Sequence, residues 1–166
     1  MKIRLAGIIP ESIVDGPGLR YTLFTQGCPH KCYQCHNPET HNISGGYLKD
    51  IDSIIRQIIS HPYIDGVTIS GGEPFLQVDA LLSFLTKLKD SFTKKIIVYT
   101  GYTFEELLNS KNPRIKLLLT EIDYLIDGPF DYTKRDLTLP YRGSTNQRII
   151  DVKKSLEENC VIQTSL

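Results

Sequence analysis

Short apolar runs rich in β-branched residues alternate with apolar stripes at helical spacing along most of the chain, and this alternation restricts the fold more than any other feature. Leu19 to Thr25 reads as a buried strand ending at Gly27. Ile51, Ile54, Ile55, Ile58 and Ile59 recur at helical intervals, and His61-Pro62 closes that helix. Val67-Thr68-Ile69 is a second strand, bounded by Gly66 and by Gly71-Gly72. Val78, Leu81, Leu82, Leu85 and Leu88 repeat the helical stripe. Lys95 to Thr100 forms a third strand, and Thr103 with Glu106 offers a capping box for a short helix. Ile115 to Leu119 reads as helical, Tyr124-Leu125-Ile126 as a fourth strand and Gln147 to Val152 as a fifth. Such alternation predicts a parallel sheet with right-handed crossovers, its ligands beyond the carboxyl ends of the strands.

At 166 residues there is room for one compact core, and no repeat, low-complexity tract or linker breaks the chain, so a single domain over 1–166 is expected. Nineteen basic side chains balance nineteen acidic ones, leaving no net field to attract a polyanion, so nucleic acid is not an expected partner. Runs such as Leu117-Leu118-Leu119 fall far short of the roughly 20 residues that span a bilayer. No membrane partner is expected. The N-terminal segment carries Lys2 and Arg4, but Pro10 and Glu11 interrupt it before a signal peptide could form, and a cytoplasmic location is expected. Cys28, Cys32 and Cys35 are clustered while Cys160 stands alone, unlike a disulfide scaffold.

The cysteines form a C-x3-C-x2-C run in the loop after the first strand, so three thiolates can converge on one inorganic centre. They are one short of the usual four for a structural zinc or iron–sulfur site. A cluster held this way leaves one iron open to a chelating substrate. The plainer alternative is a non-enzymatic Cys3His zinc module with His30, His36 or His41 as fourth ligand. Further on, Ser70-Gly71-Gly72-Glu73-Pro74 puts two glycines directly after a strand, where missing Cβ atoms let a ligand approach the backbone.

The cysteine run followed by Gly71-Gly72-Glu73-Pro74 resembles the signature of radical S-adenosylmethionine enzymes, and Val14-Asp15-Gly16-Pro17-Gly18-Leu19-Arg20 is similar to the segment preceding the cysteines in glycyl-radical activating enzymes. Val98 to Tyr102, Asp123 to Phe130 and Tyr141 to Arg148 narrow the likeness to the activating proteins of anaerobic ribonucleoside-triphosphate reductases. The resemblance implies an α/β fold of the radical S-adenosylmethionine type, a single-domain incomplete (β/α) barrel of mainly parallel strands. It implies Cys28, Cys32 and Cys35 as ligands of one [4Fe-4S] cluster, with the amino and carboxylate groups of S-adenosylmethionine on the open iron. Gly71, Gly72, Glu73 and Pro74 would hold the methionine part, chiefly its ammonium, and Gln34 and His36 would lie against the nucleoside. One departure is Gln34, which stands where many members place an aromatic; Tyr33 or His36 is then the substitute.

The implied reaction is reductive cleavage of S-adenosylmethionine to methionine and a 5′-deoxyadenosyl radical, which takes hydrogen from a glycine of the reductase. The electron would come from an external donor such as a flavodoxin. No side chain need act as acid or base, because the cofactors carry the chemistry. Another small radical S-adenosylmethionine enzyme, such as a 7-carboxy-7-deazaguanine synthase or the activase of a different glycyl-radical enzyme, would keep the same cysteines. A side chain at Gly72 is expected to weaken S-adenosylmethionine binding and to spare cluster assembly. The polar stretch containing Arg142, Asn146 and Arg148 is a candidate surface for the partner, Asp15-Gly16-Pro17-Gly18 reads equally as a turn, and Cys160 as a bystander thiol.

Overall fold

In the computed structural model, which describes residues 1–166, the chain runs β1 (Lys2–Ser12), β2 (Arg20–Thr25), β3 (Tyr47–Asp50), α1 (Ile51–Ile59), β4 (Gly66–Gly71), α2 (Val78–Leu88), β5 (Lys95–Tyr99), α3 (Phe104–Leu108), α4 (Pro113–Thr120), β6 (Tyr124–Asp127), β7 (Arg148–Asp151) and α5 (Val152–Glu158). The strands form one sheet in the order β3-β1-β2-β4-β5-β6-β7, open at both edges. β2, β4, β5 and β6 are parallel neighbours, as the strand and helix alternation requires. The capping box of α3 forms, with Thr103 accepting from the Glu106 N–H at 3.2 Å and Glu106 accepting from the Thr103 N–H at 2.7 Å.

Two differences from the sequence reading have simple causes. β7 runs antiparallel to β6, not parallel, because no crossover helix lies between them and the chain returns along the same edge. β1, unread in the sequence, is the longest strand and pairs antiparallel with both β2 and β3.

Alternate strand residues separate two unlike faces of this sheet. Tyr21 and Leu23 of β2, Val67 and Ile69 of β4, Ile96 and Val98 of β5, and Leu125 of β6 point into the main core, to which every helix contributes. The opposite face carries Arg20, Thr22, Thr68 and Tyr99, with a small apolar cluster of Ile97, Ile126 and Ile149. Arg20 is 2% exposed and donates to the Thr68 hydroxyl and to the carbonyls of Val67 and Lys95, each at 2.8 Å. Burial pushes its guanidinium down to about 10, against the pull of Asp65. No helix is long and apolar enough to cross a membrane.

Candidate active site

The carboxyl ends of the parallel strands open into a cavity of about 350 Å³. The β1–β2 loop supplies Val14 and Asp15, the β2–β3 loop the three cysteines, and the ends of β4 and β5 supply Ser70, Gly71, Gly72, Thr100 and Gly101. The far wall comes from the β6–β7 loop, with Phe130, Tyr141 and Arg142.

Cys28, Cys32 and Cys35 are half-buried and face this one cavity, while Cys160 is exposed and lies outside it. The loop turns through left-handed backbone at Lys31 (φ 50°) and Gln34 (φ 55°), closed by a Cys35 N–H bond to the Cys32 carbonyl at 3.2 Å. The Asn37 N–H donates to Cys35 Sγ at 3.5 Å, an interaction suited to a thiolate. Burial pushes the Cys28 thiol up, and Glu73, Cys32 and Cys35 push it further, against a lowering backbone bond from His30. A cationic centre would relieve that mutual repulsion and make thiolate the stable form. No three His, Cys, Asp or Glu side chains already stand close enough together to hold an ion. His30 Nε2 is bonded to Glu73 Oε2 at 2.6 Å and the His36 ring stands 5.0 Å from that of Phe130. The three thiols line the cavity wall together with His41, and their chemistry suits a thiophilic metal centre.

The glycine turn is built against the cysteine loop. Gly71 has φ +99°, and a Cβ there would lie 2.4 Å from the Thr25 nitrogen. A Cβ on Gly72 would lie 2.3 Å from the Gly27 carbonyl oxygen, immediately before Cys28. The Gly72 N–H donates to the Thr25 carbonyl and the Glu73 N–H to the Gly27 carbonyl, both at 2.8 Å. The expectation that a Gly72 side chain spares cluster assembly is therefore overturned, because it would push on the backbone that carries Cys28.

Glu73 and Pro74 are buried behind the cavity wall and do not line it. The Glu73 carboxylate accepts from the Phe75 N–H at 3.0 Å, the Thr100 hydroxyl at 2.9 Å and the Gly101 N–H at 2.8 Å, besides His30. Glu73 thus ties the cysteine loop to the ends of β4 and β5. Gln34 is exposed and outside the lining, whereas His36 is in it. Tyr33 also lies outside, edge-on to Tyr132 with ring centroids 5.5 Å apart.

Asp15 proves to be a cavity residue, its carboxylate accepting from the Ser12 hydroxyl at 2.5 Å. Tyr99 is another that sequence patterning passed over; its signal was its place on the polar face of β5. Its hydroxyl donates to the Tyr141 carbonyl at 2.9 Å, and burial together with Asp15 drives its pKa upward. The segment read as a partner surface divides: Arg142 lines the cavity, Asn146 donates to the Pro129 carbonyl at 2.7 Å, and Arg148 turns away to grip Asp127 Oδ2 at 2.6 Å and Glu105 Oε2 at 2.7 Å.

Residues 14–150 match the family described as a 4Fe-4S single cluster domain. The anaerobic ribonucleoside-triphosphate reductase-activating protein of Haemophilus influenzae is 38% identical over 149 residues, covering 84% of this chain and 92% of the relative. The protein of the same description from Enterobacteria phage T4 is 34% identical over 86% of this chain and 90% of its own length. A pyruvate formate-lyase-activating enzyme of Staphylococcus aureus is 48% identical, but over only 55% of this chain and 39% of the relative. The crystal structure of QueE from Escherichia coli superposes with a TM-score of 0.49 and 19% identity over 62% of this chain and 54% of that one, a likeness too loose to bear on function. With its cluster domain and near full-length likeness to these relatives, this chain belongs to the anaerobic ribonucleoside-triphosphate reductase-activating proteins.

Proposed function

We propose that the chain is a radical S-adenosylmethionine activase, with Cys28, Cys32 and Cys35 holding one [4Fe-4S] cluster and the anaerobic ribonucleoside-triphosphate reductase as its protein substrate. The observation that carries this reading is that three thiols and the Gly71-Gly72 turn line one cavity at the strand ends. Such a cluster, held by Cys28, Cys32 and Cys35, would supply the electron, drawn from an external donor such as a flavodoxin, with which S-adenosylmethionine yields methionine and 5′-deoxyadenosine while a glycine Cα of the reductase gives up a hydrogen atom.

The chain's own residues position the reactants. Gly71 and Gly72 leave a side-chain-free edge beside the cysteines, on which the methionine part of S-adenosylmethionine rests. His36 with Phe130 offers an aromatic wall for the nucleoside, in keeping with the 5.0 Å spacing of their rings. Glu73 serves this site from behind, by fixing His30 and the β5 end, and it does not hold the ammonium directly. Tyr99 lines the cavity from the polar sheet face, and an incomplete barrel built around that face is the architecture that suits this role.

The test is anaerobic reconstitution with iron and sulfide, followed by dithionite and S-adenosylmethionine. Four irons per chain and equimolar 5′-deoxyadenosine and methionine are expected, both lost in Cys28→Ala, Cys32→Ala and Cys35→Ala and kept in Cys160→Ser. Zinc bound in place of iron, with no cleavage, would leave the Cys3His module as the better reading.

A further inference from the structure

A glycine that is to lose hydrogen from its Cα has no side chain by which it can be recognised. Its reacting carbon is flanked only by main-chain amides, so the site that seats it must offer groups that pair with N–H donors and carbonyl acceptors. Among the residues lining the cavity, Arg142 is the one Arg or Lys and Asp15 the one Asp or Glu.

Arg142 is held in a built position. Tyr141 precedes it in left-handed backbone (φ 61°), with its carbonyl fixed by the Tyr99 hydroxyl at 2.9 Å. After it, the N–H groups of Gly143 and Ser144 both donate to Gln147 Oε1, at 2.8 and 3.2 Å, and Gln147 Nε2 donates to the Gly128 carbonyl at 3.1 Å. Gln147 is thereby consumed as scaffold. The guanidinium itself is nearly idle: Nη1 reaches the Gln147 carbonyl only at 3.5 Å, and Nε is buried without a partner. With Nε closed off inside the protein, the terminal nitrogens are the donors left for a ligand, on a cation that a fully supported loop holds at the cavity. The fork of N–H donors suits a carbonyl oxygen.

We propose that Arg142 is the residue that recognises the polypeptide substrate, its guanidinium donating to a main-chain carbonyl beside the target glycine. This rests on the proposed function; the S-adenosylmethionine carboxylate keeps one oxygen off the open iron, and the affinity measurement below separates that acceptor from the carbonyls of the incoming chain.

The experiment compares wild type, Arg142→Lys, Arg142→Met and Arg142→Ala, each reconstituted with iron and sulfide. It reads S-adenosylmethionine affinity by calorimetry and the rate of glycyl-radical formation, by electron paramagnetic resonance, against the concentration of purified anaerobic ribonucleoside-triphosphate reductase. Loss of an arginine anchor predicts a rise of about 30-fold in the KM for the reductase in the Met and Ala variants, with partial recovery in Lys. S-adenosylmethionine affinity is expected to stay within about twofold of wild type. Unchanged KM overturns the proposal. So does a matching loss of S-adenosylmethionine affinity, which assigns Arg142 to the cofactor, or a parallel loss of cluster content and melting temperature in Met and Ala, which assigns it to the fold. Failure of wild type itself to form the radical counts against the proposed function, and is thus distinct from failure of the Arg142 assignment.

Discussion

Replacing Glu73 by Gln changes one atom and tests whether this residue is a strut or a ligand-binding group. The side chain is fully buried, and every partner it has is a donor: the Phe75 N–H and Thr100 hydroxyl at Oε1, the Gly101 N–H and His30 Nε2 at Oε2. An amide in either orientation turns its NH2 toward two donors. His30 can relieve one conflict by exchanging tautomers, which leaves a backbone N–H facing a donor, together with the loss of charge from the bonds that survive. An orphaned buried donor costs about 1–3 kcal/mol, and each charge-assisted bond made neutral about 1 kcal/mol. The total is about 3 kcal/mol, a large part of the 5–15 kcal/mol by which domains are stable. At about 2–4 °C per kcal/mol for a chain of this size, the metal-free protein should melt about 6–12 °C lower, measured by circular dichroism. Cluster loading should fall with it, because His30 lies between Cys28 and Cys32. A Glu73→Gln variant melting within about 2 °C of wild type, yet with weakened S-adenosylmethionine binding, would refute the strut and restore Glu73 to the ligand.

Three further outcomes follow from the same geometry. Gly72→Ala places a Cβ 2.3 Å from the Gly27 oxygen, so iron content after reconstitution should fall along with S-adenosylmethionine affinity; full iron content would contradict the placement of the turn. Arg148→Met strands the buried Asp127 carboxylate, which should cost about 3 kcal/mol in urea unfolding, and a loss below about 1 kcal/mol would return Arg148 to the surface. The Arg148 hydrogen bond holds the Glu105 carboxyl below its ordinary 4.5, so its contribution is fully present above that pH and is lost as pH falls through the lower, folded value. Glu105 is more than half exposed, so Glu105→Gln should lose less stability than wild type between pH 6 and pH 3 by no more than about 1 kcal/mol; an equal loss would mean the pair contributes nothing.

The parallel centre and the cysteine loop were legible because each rests on local pattern: Val67-Thr68-Ile69 before Gly71-Gly72, or the Ile51 to Ile59 stripe, needs no knowledge of distant residues. β1 left a weaker trace. Ile3 and Leu5 are fully buried and alternate with Lys2 and Arg4, but Gly7 and Pro10 and two irregularities in the β1–β2 register blur the period of two. The direction of β7 is not written in Arg148 to Asp151, since it follows from the absence of a crossover helix before it. The cavity wall was hidden for a different reason. Arg142 and Arg148 look alike in sequence, and only the position of Asp127 and Glu105 on neighbouring elements separates the paired cation from the idle one. Glu73 likewise reads as an acceptor for a ligand until the donors of His30, Thr100 and Gly101, from distant parts of the chain, converge on it.

If hydrogen passes from a glycine of the reductase to the adenosyl carbon, a deuterium label on that glycine passes with it. Purified anaerobic ribonucleoside-triphosphate reductase grown with α,α-dideuterated glycine would be incubated with reconstituted activase, reductant and S-adenosylmethionine, and the 5′-deoxyadenosine examined by mass spectrometry. One deuterium is expected in the 5′-deoxyadenosine formed, with a matching glycyl-radical signal on the reductase and neither in the Cys35→Ala protein. Deuterium-free 5′-deoxyadenosine, produced at the wild-type rate with no radical on the reductase, would contradict it.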